Sequence, residues 1–424
     1  MKVFFDTVGC RLNQAEIERF ASQFRSQGYE ITASHEEADI VVVNTCSVTA
    51  AAAADSRSKI RSAGKDGQTK IIVTGCWSDL EPEAAASLPG VIRVVPNKLK
   101  DTLPAIALGV DPALFDLEPL KREPLPGIHA RTRAFLKVQD GCDNHCTFCV
   151  TRIARGKAQS VSADEVLRQI RAVALADGKE IVLTGVNLGA WGLDFNPPAH
   201  LGDLMAKLLA ETDLPRIRLS SLESWNIPIS FLNLWADSRL CPHFHLPLQS
   251  GSTSVLKRMA RRTTLAEFRA LTSQARMINP DFAITTDVIV GFPGETDAEF
   301  QETVDFICEI GFAGGHVFPY SSSPGTPAAK MNGTVHGRIV KERARILRDL
   351  FQQQKEDFYR PFVGREMDVL WENGQVLPNG HWELHGLTGN YLSVRTESSA
   401  RLQNTITRTR MENFDGVTLI GTAL

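Results

Sequence analysis

The chain has 424 residues, 43% hydrophobic and 22% charged, with a formal net charge of −3. That length allows two or three domains with ordinary globular cores. The charge excludes a nucleic-acid partner held by bulk attraction, so any basic surface has to be local. No run is long and apolar enough to span a membrane. The N-terminal Met1-Lys-Val-Phe-Phe-Asp6 reads straight into a strand and lacks the apolar h-region of a signal peptide. Eight cysteines spread thinly over the chain fit metal ligation in a reducing cytoplasm better than disulfides.

From the N-terminus, apolar runs at 3–8, 40–43, 70–73 and 91–95 alternate with helical patterns at 15–27, 50–62, 81–87 and 101–108. This alternation predicts an α/β domain over 1–115 with a Rossmann-like parallel sheet. The first three strands each run into a cysteine, in Thr7-Val-Gly-Cys10, Asn44-Thr-Cys46 and Thr74-Gly-Cys76. Ligands of open α/β sheets gather at the carboxyl ends of strands, so Cys10, Cys46 and Cys76 are expected to converge. They could hold an iron–sulfur cluster with one iron left open. The alternative is three small buried residues at strand ends.

Residues 111–130 carry Pro112, Pro119, Pro124 and Pro126 and read as a linker. A second alternating pattern follows over 130–330. Strands are predicted at 135–138, 180–183, 216–219, 244–248, 283–290 and 316–319, with helices at 163–175, 201–211, 265–278 and 298–310. Six β/α units predict a partial (β/α)6 TIM-type barrel, with functional residues at the C-terminal ends of its strands. Directly after the first of these strands comes Gly141-Cys-Asp-Asn-His-Cys-Thr-Phe-Cys149. A 4Fe–4S cluster usually takes four cysteines, so Cys142, Cys146 and Cys149 would leave one iron open. A zinc site, with His145 as a fourth ligand, and a chance cluster are the alternatives. Cys308 is placed in an apolar helix face and expected in the core.

A long polar helix is predicted over 329–359, a helical connector occupying 331–360. The remainder, 361–424, has short strands at 366–371, 382–385, 390–396 and 417–422 between Gly and Asn turns, a small all-β domain. Two basic stretches stand out. Lys257, Arg258, Arg261, Arg262, Arg269 and Arg276 meet only Glu267 within 255–276, and Lys121, Arg122, Arg131, Arg133 and Lys137 meet only Glu123 within 120–137.

Taken together, Gly9-Cys10-Arg-Leu-Asn-Gln14, Asn44-Thr-Cys46, Thr74-Gly-Cys76, Gly141–Cys149 and Ala154-Arg-Gly156 resemble the motifs of the radical-SAM methylthiotransferases. Leu183–Gly189, Arg218–Glu223, His245–Gly251 and Thr286–Glu295 fit the same family, and the C-terminal module resembles a TRAM-like barrel that contacts RNA. The resemblance implies two 4Fe–4S clusters and S-adenosylmethionine (SAM). The cluster at Cys142, Cys146 and Cys149 would cleave SAM to a radical that abstracts hydrogen, and the one at Cys10, Cys46 and Cys76 would hold the sulfur. It places SAM contacts at Gly185, Asn187, Glu223, Gln249, Val290, Gly291 and Phe292, and RNA contacts at Arg261, Arg262 and Tyr391. The Gly-Cys-Arg-Leu-Asn-Gln motif is most like the branch that methylthiolates carbon 2 of N6-threonylcarbamoyladenosine beside the tRNA anticodon. Partners so implied are the tRNA anticodon arm, an electron donor such as a flavodoxin or ferredoxin, and a sulfur donor. Sister branches modify N6-isopentenyladenosine of tRNA or a ribosomal-protein aspartate. A non-catalytic iron–sulfur RNA-binding or redox-sensing protein is the alternative of another class. Trp77, Thr151, Arg152 and Thr263 depart from the usual pattern and bear on the substrate more than on the chemistry.

Overall fold

The computed structural model describes residues 1–65, 67–111, 121–127 and 131–424. The N-terminal sheet is parallel, in the order β2-β1-β3-β4-β5, from β1 (Lys2–Thr7), β2 (Glu30–Ile31), β3 (Ile40–Thr45), β4 (Lys70–Gly75) and β5 (Val91–Val95). The unbroken apolar runs of β3 and β4 are buried on both faces, as a parallel sheet covered by helices requires. Helix starts follow local chemistry. Thr49 caps the helix Ala50–Ala63, Ser162 caps Ala163–Leu175, and Thr296 with Glu299 forms a capping box on Asp297–Ile310.

Six central strands lie in sequence order: β6 (Ala134–Lys137), β9 (Glu180–Thr184), β10 (Arg216–Leu219), β11 (His243–His245), β12 (Ala283–Val290) and β13 (Gly314–Pro319). A short antiparallel pair, β7 (Gln139–Asp140) and β8 (Gln159–Ser160), flanks the Cys142–Cys149 loop. The two three-stranded halves are joined at Ile217 with Leu240 and at Ser221 with His245. Strand β11 is shorter than the predicted 244–248 because Pro247 has no N–H to give to a ladder. The N-terminal helix Arg11–Ser26 packs against the inner face of the open barrel, where Ala15 meets Phe135 and Val182.

The long helix runs Gly337–Tyr359, later than the predicted 329, after a separate turn at Pro327–Lys330. It leads into a closed barrel ordered β14-β15-β16-β18-β17, from β14 (Glu366–Val376), β15 (Trp382–Thr388), β16 (Ser393–Ser398), β17 (Ile406–Phe414) and β18 (Leu419–Ala423). Strand β17 is absent from the sequence reading. Its inward side chains include Thr409 and Met411, alternating with the exposed Arg408, Arg410 and Glu412, so an apolar count passes over it.

Several expectations change here. Of the linker, 112–120 and 128–130, with Pro112 and Pro119, lie outside the described residues. The described part is not a solvated spacer: Leu125 is buried in the N-terminal core and Arg122 pairs with Glu18 at 3.0 Å. Cys308 is exposed, one position off the buried stripe Phe300, Thr303, Phe306, Ile307 and Ile310.

The closed end of the open barrel is ionic. Glu180 and Arg218 are both fully buried and pair at 2.7 Å, and Arg218 also donates to the carbonyls of Thr388 and Gly389. Breaking such a pair leaves an uncompensated buried charge. Arg218→Met is expected to cost about 3–5 kcal/mol in denaturant unfolding of the full chain, whereas Arg345→Met, from an exposed pair, stays within about 1 kcal/mol.

Candidate active site: two cysteine sets in one cavity

All six cysteines singled out from sequence line one cavity of about 570 Å³, within the roughly 300–1,000 Å³ of small-molecule sites. Strand ends bring the first set together: Cys10 follows β1, Cys46 follows β3 and Cys76 follows β4. Two glycines permit the approach. At Gly9 (φ +94°) a Cβ would lie 2.5 Å from Cys46 Sγ, and at Gly75 (φ +104°) it would lie 2.3 Å from the Thr45 carbonyl oxygen. Only glycine meets both the left-handed conformation and the contact.

The second set sits in the loop after β6 and β7. Backbone N–H groups of Asn144 and Thr151 donate to Cys142 Sγ and Cys149 Sγ at 3.4 Å each, and Arg261 Nη1 approaches Cys146 Sγ at 3.8 Å. Burial raises the Cys142 and Cys146 thiols and pushes Cys46 up to about 12. Binding iron there has to expel those protons. Among the described residues no three Cys, His, Asp or Glu side chains converge on a point fit for one metal ion. Three thiols spread round a cavity, with N–H groups aimed at the sulfurs, suit a cluster, whose irons are spread and whose potential such donors tune.

Arg155 joins the two sets. Its Nε donates to Cys76 Sγ at 3.3 Å, Nη1 to Glu16 at 3.1 Å and to Asp140 at 2.8 Å, and Nη2 to Asn13 Oδ1 at 2.7 Å. Glu16 also pairs with Lys100 at 2.6 Å and lies 3.8 Å from Lys137. Burial alone would raise the Glu16 carboxyl, but Arg155, Lys100 and Lys137 outweigh it and hold it well below the usual carboxylate range.

Of the expected SAM contacts, Gly185, Glu223 and Gln249 line the cavity. Gln249 holds a left-handed φ of +68°, costly for a side-chain-bearing residue, and such strain gathers at functional sites. Asn187 instead braces the turn: its N–H donates to Gln139 Oε1 at 2.8 Å and its Oδ1 accepts from Asn226. Val290, Gly291 and Phe292 do not line the cavity. Side chains alternate along β12, so the strand that presents Asp287 to the cavity turns Val288 and Val290 into the core. Phe292 packs on Phe148 and Tyr320, and Gly291 abuts Val340.

The expected RNA contacts divide. Arg262 is exposed. Arg261 is buried in the cavity wall, paired with Glu223 at 2.9 Å and over the Trp225 ring at 4.6 Å, so it is no surface phosphate contact. Tyr391 stacks on His243 at 4.6 Å and accepts from Arg11 at 2.7 Å, inside the junction with the C-terminal barrel. The basic count over 255–276 also misleads, because the balancing acids come from other elements. Arg258 pairs with Glu299 and Arg269 with Glu309, and Arg276 donates to the carbonyls of Ile310 and Gly311. Over 120–137, Arg133 pairs with Glu372 and Lys137 with Asp101.

Sequence reasoning missed Ser220, His245, Asp287, His316 and Phe318, all lining the cavity. The signal was available, since each is within or just after a barrel strand. His245 lies 3.1 Å from Asp287. Ser220 Oγ, Asp287 Oδ1 and Arg261 Nε are buried without hydrogen-bond partners among the described residues, as expected of a wall that receives a polar ligand. Among the departures, Thr151 Oγ1 lies 3.1 Å from Cys149 Sγ, Arg152 lines the cavity, and Trp77 and Thr263 are buried.

An open six-stranded β/α barrel with three cysteines after its first strand is the architecture of a radical-SAM enzyme, here with a second cysteine set opposite the first. Residues 136–307 match the Radical SAM superfamily and residues 2–96 match Uncharacterized protein family UPF0004. The chain is 36% identical to Threonylcarbamoyladenosine tRNA methylthiotransferase MtaB of Aquifex aeolicus, covering 94% of this chain and 97% of that one. It is 32% identical to tRNA-2-methylthio-N(6)-dimethylallyladenosine synthase of Maricaulis maris, covering 97% and 94%. The fold is shared with the radical S-adenosylmethionine methyltransferase TsrM of Kitasatospora setae, solved with cobalamin and a [4Fe-4S] cluster, at a TM-score of 0.56, 14% identity and 77% and 76% coverage. The chain belongs to the radical-SAM methylthiotransferase family, which implies SAM and 4Fe–4S clusters as cofactors. No helix among the described residues is long and apolar enough to cross a membrane.

Because the folded-state pKa of Glu16 is depressed, its contribution to stability is full above the unfolded value of about 4.3 and is lost as pH falls below it. Glu16→Gln is expected to lower stability at neutral pH and to flatten the acid limb of the stability–pH profile, read by denaturant titration from neutral to acid pH.

Proposed function

We propose that this chain adds a methylthio group to carbon 2 of N6-threonylcarbamoyladenosine in tRNA, beside the anticodon. The observation that carries the reading is that two separately spaced sets of three cysteines open into one cavity. The full-length similarity to an enzyme named for that substrate supports the branch. In this reading Cys142, Cys146 and Cys149 hold one cluster, and Cys10, Cys46 and Cys76 hold the other. The division into 1–115, 130–330 with a connector at 331–360, and 361–424 belongs to the same proposal. So do a cytoplasmic setting, a flavodoxin- or ferredoxin-like electron donor and a separate sulfur donor.

Carbon 2 of adenine carries a C–H bond too weakly acidic for a base, and the clusters and SAM, when bound, would supply one-electron chemistry there. The chain's own residues bind, orient and exclude water. Glu223, fixed by Arg261, and Gln249 offer polar groups to the amino-acid part of SAM, while Ser220 and Asp287 present unpaired oxygens to the same space. Arg155 and Asn13 fix the distance between the cysteine sets. A single-stranded anticodon loop suits a recessed site, because its bases can be splayed out.

Anaerobic reconstitution should give about eight irons per chain. Replacing Cys142, Cys146 and Cys149 together by Ala should leave about four and abolish SAM cleavage; a triple variant that still cleaves SAM sinks the assignment. Cys46→Ala should keep cleavage to 5′-deoxyadenosine and lose sulfur insertion, measured on the same samples.

The substrate is tested by nucleoside mass spectrometry of tRNA from a deletion strain and by reaction with tRNA made with or without the threonylcarbamoyl group. The 2-methylthio product should form on the threonylcarbamoylated tRNA. Equal modification of tRNA lacking the group rules out this branch.

A further inference from the structure

Four arginines line the cavity, Arg11, Arg152, Arg155 and Arg261. Arg155 is neutralised by Glu16 and Asp140, and Arg261 by Glu223. Arg152 is exposed, and among the described residues its hydrogen-bond partner is the His145 ring, as a solvated rim residue can have. Arg11 differs from all three. It is half-buried, directly follows Cys10, and makes no ion pair among the described residues; its one polar partner is the uncharged Tyr391 hydroxyl at 2.7 Å.

Its neighbours deepen the imbalance. Arg133 and Arg218 also stack about the Tyr391 ring, their guanidinium carbons 5.7 and 5.0 Å from its centroid. Arg216 adds a fourth cation nearby. The carboxylates serving this group are Glu180 and Glu372. Four guanidiniums against two carboxylates leave an excess of positive charge behind the cavity wall, reaching the cavity at Arg11. A low-dielectric wall focuses such a field on an anion in the cleft.

We propose that Arg11 receives the carboxylate of the threonyl group on the modified adenosine and so selects a charged N6 substituent over a neutral one. The assignment rests on the threonylcarbamoyl reading above. On the adenine ring, carbon 6, which carries the N6 substituent, is separated from carbon 2 only by N1. A carbon 2 presented to the cluster at Cys10 therefore leaves the substituent beside the same loop. A dimethylallyl group, named in the Maricaulis maris relative, is a hydrocarbon with nothing for a guanidinium to bind. A threonylcarbamoyl group ends in a carboxylate, which the arginine fork matches.

The test measures binding by the reconstituted holoenzyme without reductant, so that nothing turns over. Anticodon stem-loops carry N6-threonylcarbamoyladenosine, its neutral carboxamide, or plain adenosine. The wild-type chain should prefer the acid to the carboxamide on the order of tenfold to a hundredfold, the range of a charge-assisted contact. Arg11→Gln, which removes the charge and the fork but keeps a polar amide, should bring that ratio close to one. Arg152→Gln should weaken all three RNAs alike and reduce the salt dependence, leaving the ratio intact. If Arg11→Gln loses its iron or its fold, Arg11→Lys is read the same way, with a ratio several-fold below wild type for want of the fork. An unchanged ratio in whichever variant folds overturns the assignment and makes Arg11 a clamp on the C-terminal barrel. If the wild-type chain itself does not distinguish acid, carboxamide and plain adenosine, the threonylcarbamoyl reading has failed and Arg11 has no such role.

Discussion

The Arg155 guanidinium ties the two halves of the site together. It stands six residues after Cys149, at the end of the short helix Thr151–Arg155, and reaches across to Cys76, just past the end of β4 in the N-terminal sheet. Two more of its contacts, Asn13 and Glu16, lie on the helix that begins just after Cys10, and Asp140, just before the second cysteine set, is the other. One side chain thus touches the ends of two elements that carry the first cysteine set, from the element that follows the second. The centre of the network, Arg155, Lys100 and Glu16, is buried, while Asp140 is part-exposed and Asp101, shared by Lys137 and Arg19, stands at the solvent edge. Desolvating these charges is costly, and the arrangement holds only while every partner is present. Ionic geometry therefore sets the spacing between the cysteine sets more sharply than apolar contact would, since an apolar interface can slide and repack.

The walls of the cavity are electrically unlike. On the side of the second cysteine set, Arg261 is cancelled by Glu223 and its guanidinium also faces a sulfur. That leaves a polar lining of Ser220, Gln249, His245 and the Asp287 carboxylate, apt for an amino-acid group. On the side of the first set, the barrel interior behind Arg11 carries more guanidinium than carboxylate. Burial would raise the Tyr391 phenol, but Arg11, Arg133 and Arg218 outweigh it and the pKa falls. The same excess of charge lowers the pKa of the buried His243 well below its ordinary value, burial being the larger cause, so His243 adds no further positive charge near neutral pH.

The strand–helix alternation was legible because parallel strands buried on both faces are apolar runs, and the six cysteines because each stands at a strand end or in one tight loop. Gly9 and Gly75 were visible as letters, but their reason, a cysteine sulfur and a carbonyl where a Cβ would be, is a contact between distant segments. Pairing was not legible at all. Local counting made 255–276 a basic patch, and the carboxylates that answer it lie 38 to 41 residues away in sequence. Tyr391 read as an RNA contact for a related reason, since an aromatic in a small β-domain carries no mark of the arginines it meets across an interface. Val290 lies off the cavity because of the phase of its strand, which a motif match does not convey.

That interface changes what the C-terminal barrel can be. Arg216 donates to the carbonyls of Leu387 and Asp368, Arg218 to those of Thr388 and Gly389, and Asn390 reaches the Asp281 carbonyl. These acceptors sit at the closed end of the central barrel, where Arg216 and Arg218 begin and cross β10. Without them two buried guanidiniums would share Glu180 alone, with most of their N–H groups unanswered. The barrel is therefore a structural plug for the catalytic half, whatever RNA surface it offers. Its own arginines support that view. Arg365 is paired with Asp281, Arg395 with Glu383, and Arg408 and Arg410 with Glu366, so few of its cations are free for phosphate. Removing 361–424 would strip the partners of the central strands as well as any RNA contact, and a loss of tRNA binding in such a truncation would not separate the two roles. Point changes on the outer face of the barrel, away from Thr388–Tyr391, are the substitutions that can.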